Sequence, residues 1–518
     1  MKNVLEYLEN TAQRYGDKVA IIEEEKKCTY NELLQKSKRV GSKLLEVAFP
    51  REPVAILMDK GINSLFAFFG TIYAGGFYVL LNPELPIERL KKILEVLEAG
   101  VIITDQSNMK FAEEISDNAT ILKIEEIQES KIDDIKLESI RRQAMDIDPL
   151  YANFTSGSTG VPKGVVVSHR SVIDFINVFT DKFEITEKDI IGNQAPFDFD
   201  VSVKDIYSSI KTGATLVIIP RKFFMAPTKL LDYITENNTT TLIWAVSALC
   251  LITTFHGLEY KTPKTINKVM FSGEIMPIKH IRQWINYLPN AMYVNLYGPT
   301  EITCNCAYHI LENSLPYEKQ IPTGQAFDNE QIILLDEDNE EITEKNKVGE
   351  ICVKGTALAL GYYNNMDKTR EQFIQNPLNN KYLDMIYKTG DLGYIGDDNN
   401  LYFSGRKDFQ IKHQGHRIEL EEIQIAMEKI DNIKRACCLY HEEKSKIYAF
   451  YIGDVTRQEI HNELKKTLPI FMIPNVLVQI EEFPMTKNGK IDRNKLKEMM
   501  KKQGERNERS FKKNNWRR

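Results

Sequence analysis

A short loop rich in glycine and hydroxyl side chains is the segment whose residue types point most directly to chemistry. It reads Thr155-Ser-Gly-Ser-Thr-Gly-Val-Pro-Lys163. Glycines let backbone N–H groups approach phosphate closely, hydroxyls donate to phosphate oxygens, and the lysine adds a positive charge. A Walker loop would need Ser or Thr after its lysine, whereas Lys163 is followed by Gly164. The loop predicts phosphate binding outside the P-loop NTPase class, although the same composition alone also fits a flexible Ser/Gly linker.

Further motifs follow this loop or precede it in a fixed order. They are Gly75–Pro86, Tyr297–Glu301, Gly349–Gly355, Tyr387–Leu392, Gly405–Leu420, Leu468–Pro474 and Asn488–Arg493. In this order they resemble the signature of the adenylate-forming superfamily, which includes acyl-CoA synthetases, luciferase-like enzymes and the adenylation domains of nonribosomal peptide synthetases. Each motif alone would be weak, but the ordered series covers most of the chain.

The resemblance implies ATP-dependent activation of a carboxylate, which attacks the α-phosphate and expels pyrophosphate. Because two anions must meet, the site needs cations and fixed hydrogen-bond donors. It implies ATP and Mg²⁺ as cofactors, with Glu301 as the metal ligand and Thr300 at the α-phosphate. The other implied nucleotide contacts are Thr155, Ser156, Gly157, Ser158, Thr159 and Lys163 at the phosphates, Asn295 and Tyr297 at the adenine, and Asp391 at the ribose with Arg406 nearby.

The same resemblance implies a second half reaction, in which the acyl group passes to a thiol. Lys490 would be the catalytic lysine that bridges the substrate carboxylate and the α-phosphate. The smaller domain would then rotate about Asp408, and the thiolation loop, Gln414, Gly415 and His416, would enter the site. Such a rotation switches the enzyme between two catalytic states.

Asp200 is the position that indicates which acid is activated. In Phe199-Asp-Val-Ser-Val203 it matches the aspartate that pairs with the α-ammonium group in amino-acid-activating members, although an aspartate here could also cap the following helix. Lys204 either points into the pocket, favouring an acidic or polar substrate side chain, or lies on the outer helix face. The other implied pocket residues are Val201, Ala245, Met270, Ser272, Gly273, Leu296, Cys304 and Asn305.

The stretch Phe199–Thr215 resembles standalone D-alanine–carrier protein ligases. Two positions depart from that pattern, Ser272 in place of cysteine and Lys204 in place of an apolar residue. D-alanine, another small amino acid and an acidic one therefore all stay open. Since no carrier module follows Arg493, we expect the phosphopantetheine carrier to be a separate protein.

Strands alternating with helices must position these residues. The pattern over the first 300 residues or so predicts a mostly parallel sheet flanked by helices, and Lys18–Glu23 with Lys27–Tyr30 predicts a hairpin. We expect an α/β fold: a large N-terminal domain of helix-flanked sheets with a small β-barrel-like subdomain (1–405), and a small mobile α+β domain (406–500). The basic tail, 501–518, is predicted to be disordered, with docking to an acidic carrier, nucleic acid or membrane as the sharper alternative.

Composition excludes little else. The net charge of −6, with 27% charged and 42% hydrophobic residues, is ordinary for a soluble globular protein. No run approaches a membrane span, no signal peptide is evident and the seven scattered cysteines show no metal-ligand spacing. We expect a cytoplasmic monomer that binds neither nucleic acid nor zinc.

Two other functions stay open at this point. An acyl-CoA or aryl-CoA synthetase would share the nucleotide motifs but would have no need for Asp200. A catalytically silent scaffold on the same fold is the third hypothesis. Against the scaffold stands the full set Lys163, Glu301, Asp391 and Lys490, which a silent protein would not need.

Overall fold

A computed structural model describes residues 1–116, 118–157, 160–317, 320–485 and 491–501 of the chain. Two compact units are distinguished by their internal contacts. The larger comprises Met1–Glu84, Ile93–Thr155 and Lys163–Asp408. The smaller comprises Leu85–Lys92, Ser156–Pro162 and the described residues from Phe409 onward. The domain boundaries expected from the sequence, at residues 405 and 500, remain predictions.

The strands follow one another along the chain in a fixed sequence. They are β1 (Val19–Glu23), β2 (Lys26–Thr29), β3 (Pro53–Leu57), β4 (Phe77–Leu81), β5 (Val101–Thr104), β6 (Thr120–Lys123), β7 (Pro149–Thr155), β8 (Lys163–Ser168), β9 (Ile190–Asn193), β10 (Thr215–Ile218), β11 (Thr241–Ala245), β12 (Lys268–Ser272), β13 (Met292–Tyr297), β14 (Ala307–Ile310), β15 (Gln325–Ala326), β16 (Glu330–Leu335), β17 (Gly349–Gly355), β18 (Gly361–Tyr362), β19 (Phe373–Gln375), β20 (Met385–Ile395), β21 (Leu401–Arg406), β22 (Gln410–His413), β23 (His416–Glu419), β24 (Ile433–His441), β25 (Lys446–Gly453) and β26 (Val476–Gln479).

Helices connect most of these strands. They are α1 (Leu5–Tyr15), α2 (Tyr30–Leu44), α3 (Ile62–Tyr73), α4 (Ile87–Leu97), α5 (Met109–Ile115), α6 (Ile124–Ile127), α7 (Asp134–Gln143), α8 (His169–Lys182), α9 (Val201–Thr212), α10 (Pro227–Glu236), α11 (Val246–Thr254), α12 (Gly257–Tyr260), α13 (Ile278–Tyr287), α14 (Met366–Gln372), α15 (Leu420–Glu428) and α16 (Arg457–Thr467). Short 3-10 turns occur at Arg221–Met225, Thr300–Ile302, Glu442–Lys444 and Ile470–Met472.

A nine-stranded sheet carries most of the predicted substrate positions. Its order is β15-β14-β13-β12-β11-β9-β10-β1-β2, and the strands from β13 to β1 run parallel. The register pairs Ala245 with Ser272 and Phe271 with Asn295 at the ends of β11, β12 and β13. Because parallel strands all end at one edge of a sheet, these residues meet there, where α/β proteins commonly bind ligands.

A seven-stranded sheet presents the two ends of the phosphate loop. Its order is β18-β8-β7-β4-β3-β5-β6, with β7 and β8 antiparallel. The loop joins these two strands, and the register places Thr155, the last residue of β7, opposite Lys163, the first residue of β8. The strand pairing therefore fixes both ends of the loop.

A five-stranded antiparallel sheet completes the larger unit. Strands β16, β17, β20 and β19 pair in that order, and β21 pairs with β20. In the smaller unit, β22 and β23 form a hairpin, and β24, β25 and β26 form a second sheet.

Local sequence signals account for several of these elements. The predicted N-terminal hairpin is confirmed, since β1 and β2 pair antiparallel. Thr29 caps the start of helix α2. Its side-chain oxygen accepts a hydrogen bond from the Glu32 N–H, and the Glu32 side chain accepts one from the Thr29 N–H. Helix α3 is apolar on all sides and buried along its length, as expected for a helix inside a large core.

Candidate active site

Lys163, Glu301 and Tyr362 form a buried cluster in the larger unit. The Lys163 Nζ lies 3.6 Å from Glu301 Oε1, and the Tyr362 hydroxyl donates to the same oxygen at 2.7 Å. The Lys163 Nζ also lies 4.9 Å from the centroid of the Tyr362 ring. Glu301 is 0% exposed. Two charges predicted from separate motifs, the phosphate lysine and the metal carboxylate, are thus neighbours.

A tight turn positions Thr300 and Glu301. They lie in the 3-10 turn Thr300–Ile302, which follows Gly298 and ends at Thr303, a residue with φ of 47°. A Cβ on Gly298 would overlap the backbone of Asn305 and lie 2.8 Å from the Cys304 carbonyl oxygen. Only glycine at this position allows the chain to fold back so closely on itself.

The chemistry of these donors fits a hard divalent cation held mainly by phosphate oxygens. Within the described ranges, no group of three or more His, Cys, Asp and Glu side chains could hold a metal ion by itself. Mg²⁺ in nucleotide sites characteristically takes one or two protein carboxylates together with phosphate oxygens and water. A single enclosed carboxylate, Glu301, beside a lysine matches that donor set.

Asp391 lies at the predicted ribose position, on β20. Its Oδ2 accepts a 2.6 Å hydrogen bond from the Tyr297 hydroxyl, and its Oδ1 accepts from Arg406, which faces it across the strand pair. Burial and the neighbouring Asp391 charge raise the pKa of Tyr297, so that phenol keeps its proton and donates. At the predicted adenine position, Asn295 Nδ2 donates to the Pro322 carbonyl at 2.8 Å. The residues predicted for the nucleoside are therefore tied to one another or to the backbone.

The predicted hinge residue Asp408 also contacts this end of the site. Its two carboxylate oxygens accept from Arg406 Nε at 2.6 Å and Nη2 at 2.8 Å, a bidentate pair. Arg406 thus joins the ribose-side carboxylate to the last residue of the larger unit.

Asp200 occupies the N-terminal end of α9 but does not cap it. Its backbone has helical dihedrals, and its side chain makes no capping hydrogen bond. The Asp200 carbonyl instead accepts from Cys304 Sγ at 2.7 Å. The alternative explanation of Asp200 as a helix cap is therefore wrong, because capping requires an extended residue whose side chain reaches the first turn.

Lys204 is enclosed rather than placed on an outer helix face. It is 0% exposed, and its Nζ donates to Asn305 Oδ1. Burial lowers the pKa of Lys204, while the charges of Cys304, Asp200 and Asp205 oppose that shift. The structure decides between the two alternatives for this lysine in favour of the inner face.

The remaining predicted substrate residues lie on the strand ends and the returning chain. Met270, Ser272, Leu296, Cys304 and Asn305 are buried, and Val201 and Ala245 are partly exposed. Gly273 follows β12 with φ of 95°, and a Cβ there would meet nothing within 4 Å. Open space beside Gly273 at the sheet edge is consistent with a place for a ligand.

Sequence reasoning missed a chain of buried, hydrogen-bonded polar side chains that ends at Asp205, next to Lys204 in the sequence. Lys60 Nζ donates to Asn193 Oδ1 at 2.9 Å, and Asn193 Nδ2 donates to Asp205 Oδ2 at 2.7 Å. Burial raises the pKa of Asp205 to about 7 and lowers the pKa of Lys60 to about 7. The sequence signal that could have revealed this chain is Asp205 itself, a second charged residue directly after Lys204 on helix α9.

Several predicted residues belong to the smaller unit or lie outside the described residues. Ser156 Oγ donates to the Arg417 carbonyl at 2.8 Å, and Gly157 allows the Val161 carbonyl oxygen to lie where a Cβ would be. Gln414 and Gly415 form the two-residue turn between β22 and β23 with φ of 53° and 81°. His416 stacks on Phe471 at 3.6 Å between ring centroids. Ser158, Thr159, Lys490 and all but the first residue of the basic tail are not among the described residues.

None of the helices in the described part of the chain has the length and apolar character needed to cross a membrane.

Comparison with curated proteins gives relatives that match nearly the whole chain. Residues 8–363 match the family model described as AMP-binding enzyme. Zwittermicin A synthase ZmaJ of Bacillus cereus is 32% identical over 501 residues, which cover 94% of this chain and 93% of that protein. One of the mycosubtilin synthase polypeptides of Bacillus subtilis is also 32% identical, over 96% of this chain. The chain spans only 19% of the length of that polypeptide.

Solved structures share the fold at lower identity. The Vibrio cholerae adenylation domain AlmE, solved with glycyl-adenosine-5'-phosphate, superposes with a TM-score of 0.83 at 22% identity, over 96% of this chain and 98% of that one. The o-succinylbenzoate CoA synthetase MenE of Bacillus subtilis gives the same TM-score, identity and coverage. At this identity the superpositions establish the fold and do not separate the two kinds of acid.

The clustered lysine and carboxylate, the ordered motifs and the family match lead to one assignment. The chain belongs to the AMP-binding enzyme family, within the adenylate-forming superfamily.

Proposed function

We propose that the protein is an AMP-forming ligase that converts an amino acid and ATP into aminoacyl-AMP and pyrophosphate. The observation that carries this proposal is the carboxylate of Asp200 at the head of α9, beside the enclosed Lys204 and Cys304. A partly buried carboxylate is stabilised by cations; the Lys204 ammonium is near enough to interact with it, and the α-ammonium group of an amino acid would add a second cation. An acyl or aryl acid brings no such cation.

The larger unit offers the groups that this reaction needs at the phosphates. The Lys163 ammonium would hold the β- and γ-phosphates and stabilise the negative charge that develops on the departing pyrophosphate. The buried, unpartnered hydroxyl of Thr155, as far as the described residues show, is a donor for a phosphate oxygen. Thr300 would donate to the α-phosphate. Mg²⁺ bound at Glu301 would neutralise phosphate charge.

A second step would transfer the aminoacyl group to the phosphopantetheine thiol of a separate carrier protein. Support comes from the ordered motifs, which resemble those of nonribosomal peptide synthetase adenylation domains. The thiol sulfur would attack the acyl carbonyl and AMP would leave with the electron pair of the acyl–phosphate bond. Lys490 would serve the first step, and Gln414, Gly415 and His416, after rotation about Asp408, the second. The residues of this second step remain proposals.

Lys204 favours a substrate whose side chain is acidic or polar. Its ammonium is enclosed, and its contact in the pocket is the neutral amide of Asn305. A side-chain carboxylate would give that ammonium a charged hydrogen-bond partner in addition to the nearby charges of Asp200 and Asp205. D-alanine and other small amino acids remain candidates through the resemblance over Phe199–Thr215.

The exchange of Asp200 for asparagine tests the proposal, because it removes the charge and keeps the shape. We expect Asp200→Asn to lower kcat/KM for amino-acid-dependent ATP–pyrophosphate exchange by about 100-fold, since a charged hydrogen-bonded pair contributes about 1.5–3 kcal/mol and more when buried. The melting temperature should stay unchanged, because the side chain does not cap α9. Undiminished amino-acid-dependent exchange would contradict a role for Asp200 in binding the α-ammonium group, and exchange supported only by acids without an amine would favour an acyl-CoA or aryl-CoA synthetase.

A further inference from the structure

Tyr362 contacts both charged side chains at the phosphate end of the candidate site. Its hydroxyl donates to Glu301 Oε1 at 2.7 Å, and the Lys163 Nζ lies 4.9 Å from its ring centroid. The ring is 3% exposed and meets the Phe373 ring at 71° with centroids 5.9 Å apart. Packing against Phe373 restricts the rotation of this ring, so its two contacts are held in place together.

The backbone around Tyr362 is hydrogen-bonded to both elements that carry the charges. In the segment 357–363, the Ala359 N–H donates to the Glu301 carbonyl at 2.9 Å. The Tyr363 N–H donates to the Gly164 carbonyl at 2.8 Å. The segment therefore connects the 3-10 turn of Glu301 with the strand that begins at Lys163. A change in the position of either charge would be transmitted to this segment.

We propose that Tyr362 is a positioning residue that holds the Glu301 carboxylate in the orientation for binding a divalent cation and the Lys163 ammonium in the orientation for binding phosphate. This inference rests on the proposed function, because it assigns a metal and ATP phosphates to these two groups. The Lys163 Nζ lies 3.6 Å from Glu301. The two charges already pair at this distance, and the hydroxyl and ring of Tyr362 would fix the orientation of each within that pair.

The hydroxyl and the ring of Tyr362 have separable effects. The hydroxyl occupies one lone pair of Glu301 Oε1 and fixes the carboxylate plane, as groups behind a metal ligand do. The ring face attracts the ammonium of Lys163, an interaction that strengthens where water is excluded. The hydroxyl should therefore govern metal binding, and the ring should govern phosphate binding even without metal.

Calorimetric titration of the full-length protein with a non-hydrolysable ATP analogue tests the inference, in Mg²⁺ and in EDTA, without any acid substrate. Tyr362→Phe keeps the ring and removes the hydroxyl. We expect it to weaken binding about 10-fold in Mg²⁺, the lower end of losses seen when a group behind a metal ligand is removed. Binding in EDTA should change by less than about 2-fold, since Lys163 keeps its contact with the ring.

Two further variants make the result specific. Tyr363→Phe makes the same chemical change one residue away, at a partly buried ring beside Phe77, and should leave both affinities at wild-type values. Tyr362→Leu removes ring and hydroxyl together and should weaken binding several-fold in EDTA as well.

Two results would overturn the inference: an unchanged Mg²⁺ dependence in Tyr362→Phe, or an equal loss of affinity with and without Mg²⁺, which would indicate a merely structural role. These results differ from failure of the proposed function. A wild-type protein that binds no ATP analogue in either condition would contradict the proposed function itself.

Discussion

At the scale of one residue, the burial of Lys204 indicates that this lysine has a specific role. A lysine loses much hydration free energy when it is enclosed, so it is kept inside a protein only where partners compensate. Here the Asn305 amide accepts from it, and the Asp200 and Asp205 carboxylates lie near enough to affect its pKa. If these residues line the proposed acid pocket, they place there a cation and a carboxylate that a zwitterionic substrate with an acidic side chain would match.

Replacing Lys204 by methionine should change which substrate is preferred. We expect Lys204→Met to lower kcat/KM for acidic or polar amino acids relative to alanine by about 100-fold or more. A buried polar side chain favours strongly the substrates that pair with it, because a substrate without a matching group leaves it unpaired. Pyrophosphate exchange with both kinds of substrate measures this ratio.

Lys211→Met is the matched control, because Lys211 lies on the same helix but donates to Thr180 Oγ1 at 2.6 Å, on α8. An unaltered preference in Lys204→Met, or the same change in both variants, would contradict a role for Lys204 in selection.

At the scale of elements, the turn after β13 determines where the reaction groups lie. Gly298 allows the chain to return against itself, which brings Thr300 and Glu301 to one side and Cys304 and Asn305 to the other. One tight backbone reversal would thus serve the proposed metal site and the proposed acid pocket together.

Gly298→Ala should damage stability and activity together. The added Cβ would overlap the Asn305 backbone, which cannot move like a flexible side chain, so we expect a loss of about 1–3 kcal/mol in the free energy of unfolding. Denaturant unfolding measures the loss, and exchange activity should fall with it.

Gly100→Ala provides the comparison for this substitution. A Cβ at Gly100 meets nothing within 4 Å, so this variant should retain wild-type stability. Equal stability of Gly298→Ala and Gly100→Ala would show that the close approach at Gly298 is not needed.

The elements that could be predicted from the sequence are those whose residue pattern is local, within one helix or one hairpin. Helices α2 and α4 follow from apolar residues that recur at helical spacing along their sequences. The position of Tyr362 could not be predicted, because it depends on the pairing of β18 with β8, nearly 200 residues away in the chain. The chain from Lys60 through Asn193 to Asp205 was missed for the same reason.

At the scale of the whole molecule, the proposed mechanism assigns the two reactions to different residues of the smaller unit, Lys490 for the first and Gln414, Gly415 and His416 for the second. The larger unit contains most of the described residues proposed for the nucleotide and the acid, whereas Ser156 and Gly157 belong to the smaller unit. Lys490 lies outside the described residues, so its role rests on the motif Asn488–Arg493. The division of labour can be tested without a structure of that segment.

Lys490→Ala should abolish pyrophosphate exchange yet spare thiolation of a supplied aminoacyl-adenylate. The lysine would bridge two anions only in the first step, and its loss removes that stabilisation by about 3 kcal/mol or more. Rapid-quench measurement of each half reaction separates them. Equal loss of both would contradict the division.

The central claim, amino acid adenylation, is tested most directly by ATP–pyrophosphate exchange with the wild-type protein across D- and L-amino acids, fatty acids and aryl acids. We predict exchange with an acidic, polar or small amino acid and none with acids that lack an α-amine. Exchange only with fatty or aryl acids, or with no acid at all, would contradict amino acid adenylation.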